Sequence, residues 1–268
     1  MYQPRQGTAF LSEGDLPPFE IVNPAANCPL LLTGDHAGNV VPKALGNLGL
    51  APGERDRHIG WDIGIADLTR LLAARLGATA VLARYTRLLI DPNRPLGDTQ
   101  SIPSASDGTP IPANRNLSER DRIDRADALY WPYHCAIDEH IARLQRTGQV
   151  PVVLAMHSFT PSLKTEACQR PWHVGVLFGS DERLSHRLID AFANHNEFVV
   201  GVNQPYSGVT HGYALKVHGL AHGLPHAELE IRQDLIDTPD GRKFWADLLT
   251  DALRDILAQD DLRKIEHY

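Results

Sequence analysis

The stretch Val150 to Ser158, VPVVLAMHS, decides the fold. Its apolar side chains run on without the polar alternation of a half-exposed strand, so it reads as a strand covered on both faces, as parallel strands in α/β proteins are. Similar short runs recur at Pro29–Thr33, Ala80–Arg84, Arg87–Asp91, His173–Phe178, Glu197–Val202 and Ala227–Leu235, with Val150–Met156 among them. Between them lie segments with helical spacing. Asp62–Leu76 repeats apolar residues at that period and stops at Gly77, a usual terminator. A second helix is predicted from Ser118, with Asp121 in the capping-box position, to about Arg146 and bent near Pro132. Others are predicted at Asp181–His195 and Gly241–Gln259. Strands alternating with helices predict an α/β fold, a three-layer αβα sandwich around a mixed, mostly parallel sheet. The segment Pro92–Asn116 breaks the pattern. It is rich in Pro, Ser, Gly and Asp, and a loop of that length is usually functional.

The chain has 268 residues, 43% hydrophobic and 22% charged, enough to bury a sizeable core, and no repeat or composition break divides it. One domain over residues 1–268 is expected. A net charge of −7 argues against a nucleic-acid or anionic-membrane partner. No apolar run reaches the roughly 18 residues of a membrane span, and the N-terminal MYQPRQGTAFLSEGDLPPFEIVN has no leader-like apolar core, so a cytoplasmic location is expected. Cys28, Cys135 and Cys168 form no CxxC pair and read as core thiols of a reducing compartment.

Two histidines stand at strand ends, His36 in Gly34-Asp35-His36-Ala37-Gly38-Asn39 and His157 in Ala155-Met156-His157-Ser158, where open α/β sheets place their sites. Each alone also reads as a hydrogen-bonded structural histidine; as a pair they suggest metal ligands. Catalytic zinc usually takes three protein ligands. The third is expected from Asp62, with His58 the alternative in the same stretch, Arg57 to Gly64; Asp62 also reads simply as a helix cap. A base is supplied by His226-Ala227-Glu228-Leu229-Glu230-Ile231-Arg232, in which a strand would put Glu228 and Glu230 on one face. Were that face buried, a cation or metal would have to stand near them. Were the strand at an edge, they would face water. A substrate carboxylate calls for arginine: Arg94 in Asp91-Pro92-Asn93-Arg94-Pro95 first, with Arg122 and Arg87 as weaker candidates. His218, His222 and His226 are spaced as on a helix, but Gly219, Gly223 and Pro225 make them loop residues, and His134 reads as a packed histidine. Tyr206–Tyr213 is a polar turn able to close over a ligand. GxSxG, GxGxxG and P-loop patterns are absent.

Taken in order, GDHAGN, HIGWDIG, RYTRLLIDPNRP, ERDRI with YWPYH, AMHS, GYALKVHG and AELEIRQDLI resemble the N-formylglutamate amidohydrolase family from about Ile21 to Leu249. The resemblance implies a zinc-exopeptidase-like fold with an eight-stranded mixed sheet and a metal at its carboxyl edge. It favours Glu230 over Glu228 as base and likens Asn93-Arg94 to a pair that holds a substrate carboxylate. The exopeptidase ligand pattern would put glutamate where this chain has Asn39, so the third ligand is displaced or replaced, with Asp62 preferred. The expectation is a metal-dependent hydrolase with Zn2+ on His36, Asp62 and His157, Glu230 as base, and Asn93, Arg94 and Arg122 on a small N-acyl amino acid. The same donors also suit iron, manganese or cobalt. The rivals are a zinc carboxypeptidase or amidase acting on a peptide or cell-wall fragment, a non-catalytic acyl-amino-acid binder and a metal-free structural protein.

Overall fold

Every residue of β2 (Leu30–Gly34), β3 (Thr79–Ala83) and β6 (Val152–Phe159) is buried, as their unbroken apolar runs require. The computed structural model describes residues 10–166, 168–195 and 197–268; the start of the N-terminal stretch read above as lacking a leader lies outside them. The sheet also includes β1 (Phe19–Val22), β7 (Val174–Leu177), β8 (Val200–Val202) and β9 (His226–Arg232), in the order β1-β3-β2-β6-β9-β7-β8. The central pairs β3·β2, β2·β6 and β6·β9 are parallel, β7·β8 is parallel, and β1·β3 and β9·β7 are antiparallel.

Side-chain alternation gives each sheet face its own layer. Leu30, Leu32, Leu154, Met156, Leu229 and Ile231 pack with α1 (Ile65–Leu76), α4 (Arg183–Ala193) and α6 (Pro239–Leu257). Leu31, Val81, Val153 and Ala155 pack instead against Tyr133, Ala136, Ile137 and Ile141 of α3 (Trp131–Arg146) and Leu215 of α5 (Tyr213–His218). The mixed, mostly parallel sheet between helical layers is the predicted architecture. Seven strands form it among the described residues, where the resemblance implied eight.

Several boundaries differ from expectation. Arg87–Asp91 is a turn, because Arg87 N–H and the Thr86 hydroxyl both donate to the Gly60 carbonyl and Leu89 N–H to Thr86. Its apolar signal comes from Leu88, Leu89 and Ile90 filling a second core with Leu48, Ile111 and Leu129. Edge strand β1, four residues long, is too short to have been read. Helix α1 starts at Ile65 rather than Asp62, after Gly64 at φ 82, where a Cβ would run into the Ile236 carbonyl. The long helix is three pieces: α2 (Glu119–Arg125), capped reciprocally by Ser118 and Asp121, a π-helical turn at Ala126–Tyr130, and α3. The wide turn just before Pro132 spares its ring the clash of a regular helix, so the segment is re-registered rather than simply bent. β9 ends at Arg232, and Gln233–Leu235 is a 3₁₀ turn.

The segment Pro92–Asn116 is largely irregular, with a small hairpin of β4 (Ala105–Ser106) and β5 (Thr109–Pro110). His218 closes α5 and His226 opens β9, so neither is the loop residue expected. The cysteines are free; Cys28 is half-buried and packs against the main core as expected, whereas Cys135 is half-buried and Cys168 exposed, so these two are not core thiols. Among the described residues no helix is long and apolar enough to cross a membrane.

Candidate active site

The carboxyl ends of β2, β6 and β9 converge on the face that packs against α3. His157 and Glu230 are paired in register on neighbouring strands, and Ala155 and Glu228 likewise. Because Leu229 and Ile231 point to the opposite layer, both glutamates are turned to this face, and both are buried. β9 lies between β6 and β7, so the edge-strand alternative is excluded.

His36, Asp62 and His157 are all buried, and one ligand atom of each lies within 4.8 Å of the others. His157 Nδ1 is 3.0 Å and His36 Nδ1 3.6 Å from Asp62 Oδ2. The far nitrogen of each ring is held by another carboxylate, His36 Nε2 by Asp91 at 2.8 Å and His157 Nε2 by Asp35 at 3.2 Å, while Tyr133 donates to Asp35 at 2.6 Å. Histidine ligands of metals are oriented in this way, with a carboxylate behind the ring. Arg87 Nη1, which can only donate, lies 3.0 Å from His36 Nδ1; burial and Arg87 disfavour a charged His36, yet Asp91 and Asp62 outweigh them and raise its pKa.

Asp62 does not cap α1. Its Oδ2 accepts the Ser158 N–H at 3.1 Å, and its own N–H donates to the His36 carbonyl at 2.9 Å, which ties three separate segments together.

Asp35, Asp62, Asp91, Glu228 and Glu230 are buried together, with the Arg87 guanidinium paired to Asp91. Without an ion, protonation must offset this excess of anions. Burial pushes the Glu230 carboxyl well above its ordinary range; Asp62 and Glu228 add to the push, while His157 and Arg87 oppose it. Among the described residues Glu230 Oε2 has no hydrogen-bond partner. Burial disfavours a charged His157, yet Glu228, Asp35 and Asp62 outweigh it and hold the imidazole well above its usual value. Nitrogen and oxygen donors, oriented rings and surplus buried anions fit a divalent cation.

His36, Asp62, His157, Arg87, Asp91, Glu228 and Glu230 line a cavity of about 270 Å³, to which Asn93, Arg94, His58, Tyr206 and His211 also contribute. Segment 92–116 forms one wall through Arg94, Gln100, Pro103, Ser106 and Asp107. Asn93 is engaged at both ends: its amide donates to Glu228 at 3.4 Å and its oxygen accepts the Ala214 N–H at 3.0 Å. Arg94 is only loosely paired, 3.8 Å from Asp98.

Arg122 is a correction. It is exposed on α2 outside the cavity, because it is Arg125 that turns inward, donating to Leu89 O and Asn114 Oδ1. Asn39 also lies outside, bonded to Asp56. His58 lines the cavity apart from the His36–Asp62–His157 group, and burial lowers its pKa to about 4. Sequence reasoning left Asp35, Asp91 and Tyr133 without roles. The adjacency of Asp35 to His36 was the one local signal for any of them.

Fold and site together define an α/β protein with a buried, metal-competent histidine–carboxylate centre. The chain belongs to the N-formylglutamate amidohydrolase family, whose model matches residues 28–237. A gene product of Agrobacterium tumefaciens with a crystal structure is 34% identical, the match covering 93% of this chain and 98% of that one at a TM-score of 0.88. The crystal structure of N-formylglutamate amidohydrolase from Ralstonia eutropha JMP134 is similar in fold, with 23% identity, coverage of 90% and 97%, and a TM-score of 0.66. No curated protein matches the chain.

Proposed function

We propose that this protein hydrolyses the amide of a small N-acyl amino acid, N-formyl-L-glutamate or a close relative, giving the free amino acid and formate or another short acid. The observation that carries this reading is the buried Glu230 carboxyl with an unpartnered oxygen, lining the same cavity as His36, Asp62 and His157. A zinc ion held by those three residues would supply Lewis-acid polarisation of the amide carbonyl and of the attacking water. Glu230 takes the proton of that water and hands it to the leaving amine nitrogen. Asp91 and Asp35 keep the two imidazoles turned to the centre, and Tyr133 holds Asp35. Arg94 grips the substrate carboxylate, while Asn93 keeps Glu228 in place beside it.

A cavity of about 270 Å³, walled on one side by segment 92–116, is sized for a small substrate rather than for a peptide or cell-wall fragment. A purely binding role leaves Glu230 unexplained, since a buried, unpartnered acid adds only cost there.

The test is release of free amino acid from N-formyl-L-glutamate, with and without a chelator. Turnover that a chelator abolishes supports the reading; turnover indifferent to thorough metal removal refutes the zinc mechanism. Arg94→Ala should raise KM about 10- to 100-fold with a much smaller change in kcat, since a charge-assisted contact made equally in ground and transition states is lost. An unchanged KM in steady-state assays would take Arg94 out of substrate binding.

A further inference from the structure

His134 and His218, which the chemistry above does not use, form a buried chain. His134 Nε2 faces the Pro92 carbonyl at 3.1 Å, His134 Nδ1 faces His218 Nε2 at 2.7 Å, and His218 Nδ1 faces Asp138 Oδ1 at 2.7 Å. Both imidazoles are almost inaccessible, while the Asp138 side chain is half in water. The rings stack at 26°, and Tyr130, Tyr133 and Tyr213 pack around His134.

The hydrogens in this chain can be counted. Pro92 O can only accept, so His134 Nε2 carries a proton; a second lies between the two rings, and a third between His218 and Asp138. Two neutral imidazoles carry two protons. The chain therefore binds one proton more, shared by His218 and the Asp138 carboxylate. The far end of the chain holds Pro92, between Asp91, which orients His36, and Asn93 and Arg94, which line the cavity. Tyr130 fixes the same segment by donating to the Arg94 carbonyl at 3.1 Å.

We infer that Asp138, His218 and His134 are positioning residues, a strut loaded with one extra proton that holds the segment from Asp91 to Arg94 in its substrate-binding geometry. Other groups bear on it: Asp35 faces His134 and His222 faces Asp138. When the extra proton leaves, one contact loses its hydrogen. The Asp138 carboxylate keeps the charge-assisted hydrogen of His218 Nδ1, so both tautomers shift and His134 Nε2 is left without a proton against the Pro92 carbonyl. Arg94 then shifts, while Asp91, held by Arg87 and by its own N–H to the Ser101 carbonyl, and Glu230 and His157, seated on strands, stay where they are. Loss of the proton thus raises KM and spares kcat.

The inference rests on the proposed reaction for its kinetic test, so that test is paired with one that does not. In Asp138→Asn the anion is gone, and the strut should release its proton at lower pH than in the wild type. KM for N-formyl-L-glutamate should therefore begin to rise at lower pH, reaching about tenfold above wild type where the wild-type strut is still loaded, with kcat within about twofold. Superimposable KM–pH profiles, or kcat falling as far as KM rises, would overturn the inference. Nitrogen NMR of histidine-labelled protein supplies the independent readout. Three protons on the wild-type strut, one of them lost at lower pH in Asp138→Asn, support it; a wild-type strut holding two overturns it. If the wild type turns over no acyl amino acid, the proposed function fails and the proton count alone decides the strut.

Discussion

Glu230→Gln should lower kcat about 10³-fold, within the 10²- to 10⁴-fold range that a positioned general base contributes, while metal content stays unchanged. The amide preserves size and neutral shape but cannot take a proton from water. Stability should move the other way in protein stripped of metal. The folded-state pKa of Glu230 is raised well above its ordinary value of 4.5, chiefly by burial. An acid shifted upward costs the folded state nothing below its unfolded pKa and destabilises it increasingly as pH climbs toward the folded pKa. Glutamine never ionises. Chelated Glu230→Gln should therefore melt above chelated wild type, with a gap that widens as pH rises from about 4.5. Steady-state kinetics and melting curves of the two chelated proteins check both halves, and a variant that keeps wild-type kcat removes Glu230 from the reaction.

His157→Ala is expected to abolish both retention of zinc and turnover. In the wild type, chelation should stop the reaction and added zinc should restore it; in the variant, added zinc should restore nothing. The substitution also strands Asp35 and Asp62, two buried carboxylates that His157 contacts at 3.2 and 3.0 Å. Breaking a buried charged pair from one side costs on the order of 3–5 kcal/mol. For chelated protein the sign follows from the raised pKa of His157. Its charge contributes fully below the ordinary histidine value of 6.5 and is lost as pH rises through the raised folded value. The stability difference between chelated wild type and His157→Ala should therefore shrink as pH rises. Metal analysis and denaturant titration at several pH values measure it, and one tightly bound zinc per chain in the variant would contradict the ligand assignment.

The parts of the fold legible in the sequence are those whose signal is local. Pro29–Thr33 and Val150–Met156 read as buried strands because continuous apolar runs have few other uses, and the reciprocal cap at Ser118 and Asp121 is written in four consecutive residues. Arg87–Asp91 carries the same apolar signature for a different reason: its leucines fill a second core from within a turn. The π turn at Ala126–Tyr130 has no sequence mark beyond Pro132.

The same divide runs through the site. His36 and His157 stand out as strand-end histidines, and Glu228 and Glu230 as a shared face. Their supports are joined over long separations: Tyr133 reaches Asp35 across 98 positions, and His134 reaches His218 across 84. No spacing rule encodes such pairings. The choice among the arginines failed at Arg122 for a related reason, since helix phase, set by the cap and the π turn, decides which arginine of α2 points inward.

The alternation of β9 has a consequence for how this protein tolerates change. Ala227, Leu229 and Ile231 belong to the layer of α1, α4 and α6, whereas Glu228 and Glu230 face α3. The sheet thus acts as a bulkhead: both sides carry apolar packing, but the reacting groups stand on the α3 side alone. Volume-conserving exchanges behind it draw on a reserve of stability without touching the reacting groups. Sequences can therefore drift on the α1–α4–α6 side while specificity is reshaped independently through the walls of the cavity.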